Sequence, residues 1–547
     1  MLNKIIFIIF ILSGWHDSHA QDLSPYNVAW KGELAHSELY FLYELTQVDG
    51  KEYTFSLSYR GEQLTKKTFR VDEAEAFSFS IGEQQKIWGT LSENEASLFL
   101  KSGFLVFHQT LKPQNGAFRG KWKLFNVEKL ANHNFYLSVV DANKDSYQAY
   151  AYLGDNRFSG FWCGDFKRKG KELYFMDAKT GISFRGRLET DSIQLHTFFG
   201  DARIAKITLR REEADWEMGF ERWKETFTYT KNQTLRELED EILEGEIVGV
   251  NSILVSRDGK TLYEQYFNGF DSASYHDQRS ATKSVAGTMM GILNKEDILK
   301  STNQSIYELL PENLVYTKTE EKASISIKSL LTMSSGLDAI DFGSRRNSVA
   351  SEENYQTSSN WTKTILEAPM INKPFEVAYY GGANPHLLGV AYTNMVTQPY
   401  RFMHEKLFKP LGIEEYIIQT DDEDRPYFGG GMHFTTRDMI KYGQMYLEGG
   451  GSVLSPDWVA QSFKKYFKLK NVPDRNDYGF LFWHRNYQYK EKTYASIEAR
   501  GNGGQYIFII PALELVVAIT SNNFRNIQQP EVIMENYLLP FILHAHK

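Results

Sequence analysis

The chain has 547 residues, a formal net charge of −8 at pH 7 and an isoelectric point near 6.0. This length exceeds one ordinary hydrophobic core, so two to three domains are expected, and 42% hydrophobic with 24% charged residues excludes a disordered or fibrous protein. The acidic balance and the lack of a Lys/Arg-rich run argue against nucleic acid as a partner.

The first twenty residues have the pattern of a secretory signal peptide. Lys4 supplies a positive charge, Ile5 to Leu12 form a short apolar run, and Ser18-His19-Ala20 is a small-x-small cleavage site. The apolar run is too short to cross a bilayer, so no transmembrane anchor is expected. The single cysteine, Cys163, lies far from the cleavage site and allows no intramolecular disulfide. We expect a periplasmic or secreted protein that begins near Gln21.

Residues 21–211 predict an all-β domain, a barrel or a curved sheet. Aromatic, partly alternating segments are separated by turn-forming residues such as Asp49-Gly50. An apolar-x-Gly-x-apolar phrase recurs around Gly89, Gly120, Gly160 and Gly186, which indicates strands that bend where a neighbour comes close. Both a ligand-holding barrel and a structural or docking module remain open for this domain.

Residues 212–233, with Trp216, Phe220 and Trp223 at helical spacing, predict a connector. From residue 234 to 547 the pattern predicts an α+β domain. A helix (234–243) precedes a hairpin at Asp258-Gly259, helical segments follow (327–332, 387–396, 438–446), and the chain ends with two strands and a helix from 530 to about 539. An antiparallel sheet that gathers strands from both ends, with a helical lobe inserted, fits this order.

The run Ser280-Ala281-Thr282-Lys283 opens an apolar helical segment. Serine suits a helix start, and a lysine three residues later lies one turn along the same face. A buried lysine with a depressed pKa can accept the serine proton, so the pair can form a nucleophile. The pattern also arises by chance, as at Ser462 to Lys465, and Ser280 as a plain helix cap beside a solvated lysine remains an alternative.

Further stretches follow Ser280 in a fixed order. They are Ile327 to Leu337, Tyr380-Gly381-Gly382 ahead of Leu387-Leu388-Gly389, Leu407 to Ile413, and Asn502-Gly503-Gly504 ahead of Gln505. With them, roughly Thr234 to His546 resembles the serine β-lactamase and penicillin-binding-protein superfamily, in particular its esterase-like branch. Lys179-Thr180-Gly181 spells the superfamily's third motif literally, but it lies upstream of Ser280 between two strands, so we interpret it as a hairpin turn.

The resemblance implies a role for each site residue. Ser280 would attack a carbonyl carbon, Lys283 would help to deprotonate it and to hold Tyr380 near its phenolate form, and Tyr380 would relay the proton to the leaving group. The backbone N–H groups of Ser280 and Gln505 would form the oxyanion hole. The positions expected to bind the substrate are Gly382, Asn502, Gly503 and Gly504.

Two departures from the superfamily bear on the substrate. Gly382 replaces an amide side chain that contacts the substrate amide, and Asn502 replaces a cation that grips a carboxylate. Both favour an ester or a neutral amide over a β-lactam or a D-Ala-D-Ala peptide. The main prediction is therefore an exported serine hydrolase. A binding or sensor protein with the same fold, and a β-lactamase or D-Ala-D-Ala carboxypeptidase, remain alternatives.

The sequence contains no motif for other common kinds of catalysis. There is no Gly-x-Ser-x-Gly elbow, no His-Glu-x-x-His, no cysteine cluster for zinc and no nucleotide-binding fingerprint after a strand. We therefore expect no metal and no cofactor, and a small-molecule substrate as the partner. Nothing in the sequence predicts the oligomeric state.

Overall fold

The computed structural model describes residues 29–124, 127–143, 146–155, 157–158, 160–212, 228–343, 348–472 and 477–544. The predicted signal peptide lies outside these residues, and so does most of the predicted connector, including its three aromatic positions. No helix in the described ranges is long and apolar enough to cross a membrane.

The chain divides into two compact units. The first comprises residues 1–221 together with Glu414–Ile417, and the second comprises residues 222–413 and 418–547. The four-residue excursion from the second half of the chain into the first unit was not predicted from the sequence. Within the first unit, the carbonyl of Glu414 accepts the N–H of Thr110 at 3.1 Å and His108 stacks on Tyr416.

The first unit consists of strands in its described residues, which confirms the all-β prediction. In chain order these are β1 (Ala29–Glu33), β2 (Phe41–Asp49), β3 (Glu52–Tyr59), β4 (Glu62–Arg70), β5 (Ala76–Ser80), β6 (Gln85–Leu91), β7 (Ala96–Ser102), β8 (Leu105–Leu111), β9 (Pro113–Gln114), β10 (Ala117–Trp122), β11 (Asn134–Asn143), β12 (Ser146–Leu153), β13 (Cys163–Lys169), β14 (Glu172–Asp177), β15 (Ile182–Leu188), β16 (Ser192–Phe199) and β17 (Ala202–Glu212).

An eight-stranded antiparallel sheet of this unit is nearly a closed barrel. Its strand order is β12-β11-β1-β17-β16-β15-β14-β13, and the two outer strands, β12 and β13, lie against each other. A five-stranded sheet (β4-β3-β2-β10-β9) and the meander β5–β8 share one aromatic-rich core with it. Alternating strands such as β16 bury one face in this core and leave the other face outward. The barrel-like alternative is thus confirmed.

The recurring glycine phrase marks close backbone approaches in three of its four copies. A Cβ at Gly89 would lie 2.0 Å from the carbonyl oxygen of Ser97, one at Gly120 would lie 2.3 Å from the ring of Tyr43, and one at Gly186 would touch Leu195 at 3.1 Å. These positions lie in β6, β10 and β15. At Gly160 a Cβ would meet open space and no described strand contains it, so the fourth copy was wrongly read as a strand.

The second unit mixes helices and strands. They are α1 (Gln233–Glu244), β18 (Val250–Arg257), β19 (Lys260–Tyr266), β20 (His276–Asp277), α2 (Lys283–Lys295), α3 (Ile327–Leu331), α4 (Glu352–Gln356), α5 (Trp361–Glu367), α6 (Ala383–Met395), α7 (Pro399–Met403), β21 (Glu415–Gln419, whose first three residues belong to the first unit), β22 (His433–Phe434), α8 (Thr436–Leu447), α9 (Pro456–Ser462), β23 (Phe467–Lys468), β24 (Asp477–Gly479), β25 (Phe482–Tyr489), β26 (Lys492–Gly501), β27 (Gln505–Ile510), β28 (Leu515–Ser521), α10 (Gln529–Ile533) and α11 (Leu539–His544).

The sheet of the second unit gathers strands from both ends of its sequence. Its order is β19-β18-β28-β27-β26-β25-β24-β23, so β18 of the predicted hairpin pairs with β28, the last strand in the described residues. Phe508 of β27 faces the core shared with α1 and the C-terminal helices. The neighbouring Ile507 faces the other way, within 3.0 Å of the Cβ position of Gly443 in α8. Helices therefore cover both faces, and the α+β prediction is confirmed.

The individual elements of this unit agree with the sequence patterns to within a few residues. The predicted helices appear as α1, α3, α6 and α8, and the last helical stretch continues past the predicted end at Leu539 to His544. Asn232 caps α1 by accepting the N–H of Leu235, and Gly245 ends that helix with a left-handed backbone. Local capping and turn chemistry therefore reproduce these boundaries.

Candidate active site

Ser280 lies in a one-turn 3₁₀ segment, Arg279–Thr282, that leads directly into α2. Its side chain makes no capping hydrogen bond, and the residue at the cap of α2 is Thr282. Arg279, just before it, has a positive φ of 47°, a backbone conformation that a non-glycine residue rarely adopts. The serine hydroxyl is thus presented by a constrained turn and does not cap the helix, so the plain helix-cap alternative is wrong.

Lys283 is buried, at 1% exposure, at the first position of α2. Its Nζ donates to Ser280 Oγ at 3.0 Å and also to the carbonyl oxygen of Gly429. The second bond ties the ammonium to the Gly429-Gly430-Gly431 loop and points it at the serine. The lysine is therefore not solvated, which removes the other half of the alternative.

Tyr380 faces the same two side chains. Lys283 Nζ lies 5.2 Å from the centroid of its ring. The backbone of Tyr380 is clamped by Asn471, which accepts the tyrosine N–H at 2.8 Å and donates to its carbonyl at 3.0 Å. The ring packs against Trp483 at 5.3 Å and stacks on Phe342 at 5.5 Å. The structure thus brings Ser280, Lys283 and Tyr380 together, and the Asn471 clamp was missed because it lies 91 residues away from Tyr380.

Two carboxylates behind this group were not predicted. Asp341 accepts the backbone N–H of Gly382 at 2.6 Å and that of Glu352 at 2.8 Å, so it joins the Tyr380 segment to the start of α4. Glu352 accepts the hydroxyl hydrogen of Tyr427. The sequence offered no motif for either residue, since both follow irregular segments. The only available signal was that Asp341 shortly follows the run from Ile327 to Leu337.

The carboxylates reverse one electrostatic expectation. Burial is the largest single influence on Lys283 and lowers its pKa, but the charges of Tyr380, Glu352 and Asp341 together outweigh it. The pKa of Lys283 is therefore raised above its ordinary value, whereas the sequence reasoning assumed a depressed one. That expectation was wrong because it counted burial and had no knowledge of the two carboxylates.

Tyr380 and Asp341 are shifted in the same direction. Burial raises the pKa of Tyr380; Lys283 and a hydrogen bond with Ser280 lower it, and the two carboxylates raise it again, so the phenol predominates. Burial and the charge of Glu352 raise the pKa of Asp341 to about 7, against the lowering effect of Lys283. The resting site therefore holds an ammonium, a phenol and a carboxyl group that titrates near neutrality.

Gly382 does not leave an open space toward substrate. The residue is buried, and a Cβ built on it would lie 2.8 Å from the hydroxyl of Tyr355 and 3.1 Å from the carboxyl carbon of Glu352. The room that a side chain would need at this position is filled by these two groups. Gly382 is therefore a position of close packing. The direction in which a side chain would extend from it is occupied by Tyr355 and Glu352 and does not lead to a substrate.

The strand end that carries Gln505 packs on the residues just before Ser280. Gly501 pairs with Gln505, and a Cβ at Gly501 would lie 2.2 Å from the carbonyl oxygen of Gln278 and 3.1 Å from Arg279 Cβ. The two predicted oxyanion-hole donors therefore belong to adjoining segments. The Gln505 side chain is turned away and donates to the carbonyl of Ser521, which leaves its backbone as the group available for the predicted role.

Asn502, Gly503 and Gly504 form the turn between β26 and β27. Asn502 Oδ1 accepts the N–H of Gly503 at 2.9 Å. The two glycines have φ of 85° and 94°, which a side chain would strain, and a Cβ would lie 2.9 Å from the Phe524 ring at Gly503 and 2.8 Å from Ser521 Cβ at Gly504. The positive φ values and these neighbours are therefore enough to require glycine at both positions.

One cation does lie beside this turn. The Arg279 guanidinium is 5.6 Å from the centroid of the Phe524 ring, and its Nε pairs with Asp277 at 3.1 Å. Asp277 also accepts the N–H of Arg279 at 2.9 Å. The charge is therefore balanced by a carboxylate of its own segment.

Lys179-Thr180-Gly181 lies between β14 and β15 in the first unit, with Gly181 at a φ of 69°. It is a hairpin turn, as predicted, and belongs to a different unit from Ser280. Among the described residues, no group of three His, Cys, Asp or Glu side chains is placed to hold a metal ion.

Comparisons with known proteins concern the second unit. A family model described as Beta-lactamase matches residues 235–536. No curated protein matches the chain. Solved structures with similarity include a penicillin-binding protein homologue from Pyrococcus abyssi (20% identity, TM-score 0.43, 57% of this chain and 76% of that one) and simvastatin synthase from Aspergillus terreus (15%, 0.44, 58% and 100%). A penicillin-binding protein from Bacillus halodurans has 14% identity and a TM-score of 0.43, over 53% and 97%. The family match spans more than half of the chain.

Proposed function

The chain belongs to the β-lactamase family, and we propose that it is an exported serine hydrolase that forms an acyl-enzyme on Ser280 and acts on an ester or a neutral amide. The observation that carries the proposal is the 3.0 Å hydrogen bond from buried Lys283 Nζ to Ser280 Oγ, with Tyr380 facing both groups. A nucleophile that is hydrogen-bonded to a cation fixed by further bonds, with a titratable phenol beside both, is an arrangement suited to nucleophilic catalysis.

The first half of the reaction transfers the acyl group to the enzyme. Ser280 Oγ attacks the carbonyl carbon while its proton passes to the Lys283–Tyr380 pair in its singly deprotonated form. The carbonyl oxygen gains the negative charge, which the N–H groups of Ser280 and Gln505 stabilise by about 3 kcal/mol per donor. The C–O or C–N bond then breaks as Tyr380 passes a proton to the leaving group, and the acyl group remains on Ser280.

The second half returns the enzyme to its starting state. Water attacks the acyl carbon and gives one proton to the same pair, and the Ser280 Oγ–C bond breaks as Oγ takes that proton back. A carboxylic acid leaves. The carboxylates of Asp341 and Glu352 keep Lys283 cationic during both halves, so Lys283 orients Ser280 and lowers the pKa of Tyr380, and Tyr380 carries the mobile proton.

The charges around the site support a substrate without a carboxylate. Arg279 is paired with Asp277, and Asp341 and Glu352 stand close to Lys283. Arg279, which lies beside the turn Asn502–Gly504, is therefore already balanced by a carboxylate and is not an open partner for a substrate carboxylate. The aromatic rings around Tyr380, with Phe342 43% exposed, favour an apolar group in the acyl or leaving position.

Export is the second part of the proposal. It rests on Lys4, the apolar run to Leu12 and the Ser18-His19-Ala20 site. The native gene product should be found outside the cytoplasm with Gln21 as its first residue, as N-terminal sequencing of the fractionated protein would show. A chain recovered intact from the cytoplasm with Met1 retained would contradict it.

A substrate panel tests the chemistry. Wild type and Ser280→Ala are compared on p-nitrophenyl acetate, a neutral anilide and nitrocefin. We expect ester turnover well above nitrocefin turnover and its loss in the variant. Fast nitrocefin hydrolysis with little ester hydrolysis would overturn the substrate assignment in favour of a β-lactamase. A stable acyl adduct without turnover would overturn hydrolysis in favour of a binding or sensor protein.

A further inference from the structure

The segment that forms the last five strands of the barrel-like sheet is basic although the whole chain is acidic. Strands β13 to β17, residues 163–212, contain 11 Lys or Arg and 7 Asp or Glu, a net charge of +4 in a chain of net charge −8. The register aligns several of these residues across the sheet. Arg185 of β15 pairs with His196 of β16, which pairs with Lys206 of β17, and Arg203 pairs with Phe198 one step along.

Arg185, Arg203 and Lys206 are exposed, and in the part of the chain that the structure describes no ion pair joins any of them to an acidic side chain. Elsewhere on the same sheet the pairs are made, as between Lys167 and Asp165 at 2.8 Å. We call Arg185, His196, Arg203 and Lys206 the basic face.

A cleft adjoins the basic face. Its volume is about 470 Å³, within the usual range of small-molecule sites. One wall consists of Glu62, Gln63 and Leu64 at the start of β4, and the other of His196, Phe198, Ala202 and Arg203. Arg185 lies with its guanidinium 4.3 Å above the Phe198 ring, which stiffens the arginine and leaves the edge of its fork free for an anion.

We propose that this cleft binds an acidic saccharide, a sugar unit that carries a carboxylate. Arg203 lines the cleft, and Arg185 lies over the ring of Phe198 in its wall. These two guanidinium groups can take the carboxylate, since arginine matches its geometry with paired hydrogen bonds. Glu62 and Gln63 on the opposite wall can accept and donate to hydroxyl groups. The inference is independent of the proposed hydrolase, because every residue in it belongs to the first unit.

His196 reports on the bound anion. Its pKa is lowered, first by burial and then by the charges of Arg203 and Lys206, and its Nδ1 is buried without a hydrogen-bond partner among the described residues. An anion held by these cations offsets their effect on the imidazole. The pKa of His196, followed by NMR of the intact protein, should therefore rise when the ligand binds.

The test uses the full chain and calorimetric titration with a uronic-acid disaccharide, the neutral disaccharide of the same linkage, and inorganic phosphate. We expect the uronate to bind most tightly, with an affinity that falls as salt is added. Arg185→Gln with Arg203→Gln should weaken uronate binding by about tenfold or more. The matched control, Lys86→Gln with Lys112→Gln, removes two exposed cations elsewhere in the unit and should leave it unchanged.

Glu62→Gln tests whether the charge of the cleft determines which sugar binds. Removing this carboxylate from the cleft should tighten the uronate and leave the neutral disaccharide as it was. Equal binding of both sugars, equal binding of phosphate, or uronate binding that survives Arg185→Gln with Arg203→Gln would each overturn the proposal. An oligonucleotide that binds as tightly as the uronate would instead show a general polyanion surface and overturn it as well.

Discussion

The protein surrounds its cations in two opposite ways. Lys283 is buried, and the charges of Asp341 and Glu352 keep it an ammonium. Its charge therefore acts on Ser280 and Tyr380 inside the candidate site. The cations of the basic face are exposed and have no acidic partners in the described residues, so their charge is directed outward. In the two proposals, the neighbours of a cation, more than its identity, decide whether it serves chemistry or binding.

The largest expected effect is the loss of the nucleophile. Ser280→Ala should lower kcat by about 10⁴-fold or more, since no other group can form the acyl intermediate. The variant should keep its unfolding temperature, because Ser280 is half-buried and caps no helix. The measurement is steady-state ester hydrolysis beside thermal unfolding. Turnover that survives would place the chemistry at another residue.

Next in size is the loss of the balanced cation. Lys283→Met should lower kcat/KM by about 10³-fold, because the variant loses the cation that orients Ser280 and lowers the pKa of Tyr380, the group that transfers the proton. It should also lower the free energy of unfolding above neutral pH, because Asp341 and Glu352 then face each other without a cation. Lys295→Met is the matched control, since Lys295 ends the same helix in solvent. Equal losses of kcat/KM in both variants would show that buried Lys283 has no role in the reaction that exposed Lys295 lacks.

The carboxylates should set the pH at which the site becomes active. Activity requires one proton to leave the Lys283–Tyr380 pair, and both pKa values are raised, so kcat/KM should still be climbing in the alkaline range. Glu352→Gln removes a charge that raises both pKa values, so the profile should move to lower pH by about one unit. The exposed neighbour Glu353 provides the control, Glu353→Gln, which should leave the profile in place. A shift to higher pH would contradict the assignment.

Asp341 should also mark the pH dependence of stability. Its folded pKa of about 7 lies above the ordinary value of about 4, so the folded state holds this proton more tightly than the unfolded state. Stability due to this group is present below the unfolded pKa and is lost as pH rises through the folded one. Asp341→Asn should therefore remove a fall in unfolding free energy between about pH 4 and 7. Denaturant titrations at several pH values measure it, and an unchanged slope would count against it.

The smallest effect belongs to the basic face. Arg203→Gln removes one of the two charges that lower the pKa of His196, so that pKa should rise by a fraction of a unit without any ligand. Burial remains, and it is the larger cause, so the shift should be partial. NMR titration of the imidazole gives the value. An unchanged pKa of His196 would mean that the charge of Arg203 does not act on the imidazole in the cleft.

The fold and the cluster of Ser280, Lys283 and Tyr380 could be predicted because their signals are local or ordered along the chain. Ser280 and Lys283 lie one turn apart, and the hairpin at Asp258-Gly259 needs only its own residues. Asp341, Glu352 and Asn471 come from irregular segments brought together by tertiary contacts, so no pattern pointed to them. The excursion of Glu414–Ile417 into the first unit likewise has no local cause.

The pKa directions could not be obtained from the sequence for the same reason. Burial alone predicts a depressed pKa for Lys283, and only the positions of Tyr380, Glu352 and Asp341 reverse it. In the same way, Gly382 appeared to be a missing substrate contact until the structure showed Glu352 and Tyr355 in that space. Sequence order indicates which groups lie together in the candidate site, whereas their charge states depend on neighbours that are distant in sequence.

The most direct test of the central claim is covalent labelling of the nucleophile. The intact protein is treated with a fluorophosphonate, digested, and the labelled peptide is identified by mass spectrometry in wild type, Lys283→Met and Lys295→Met. We predict one adduct, on Ser280, with labelling about a hundredfold slower in Lys283→Met and unchanged in Lys295→Met. An adduct on another residue, or equal labelling of Ser280 in all three proteins, would contradict the account.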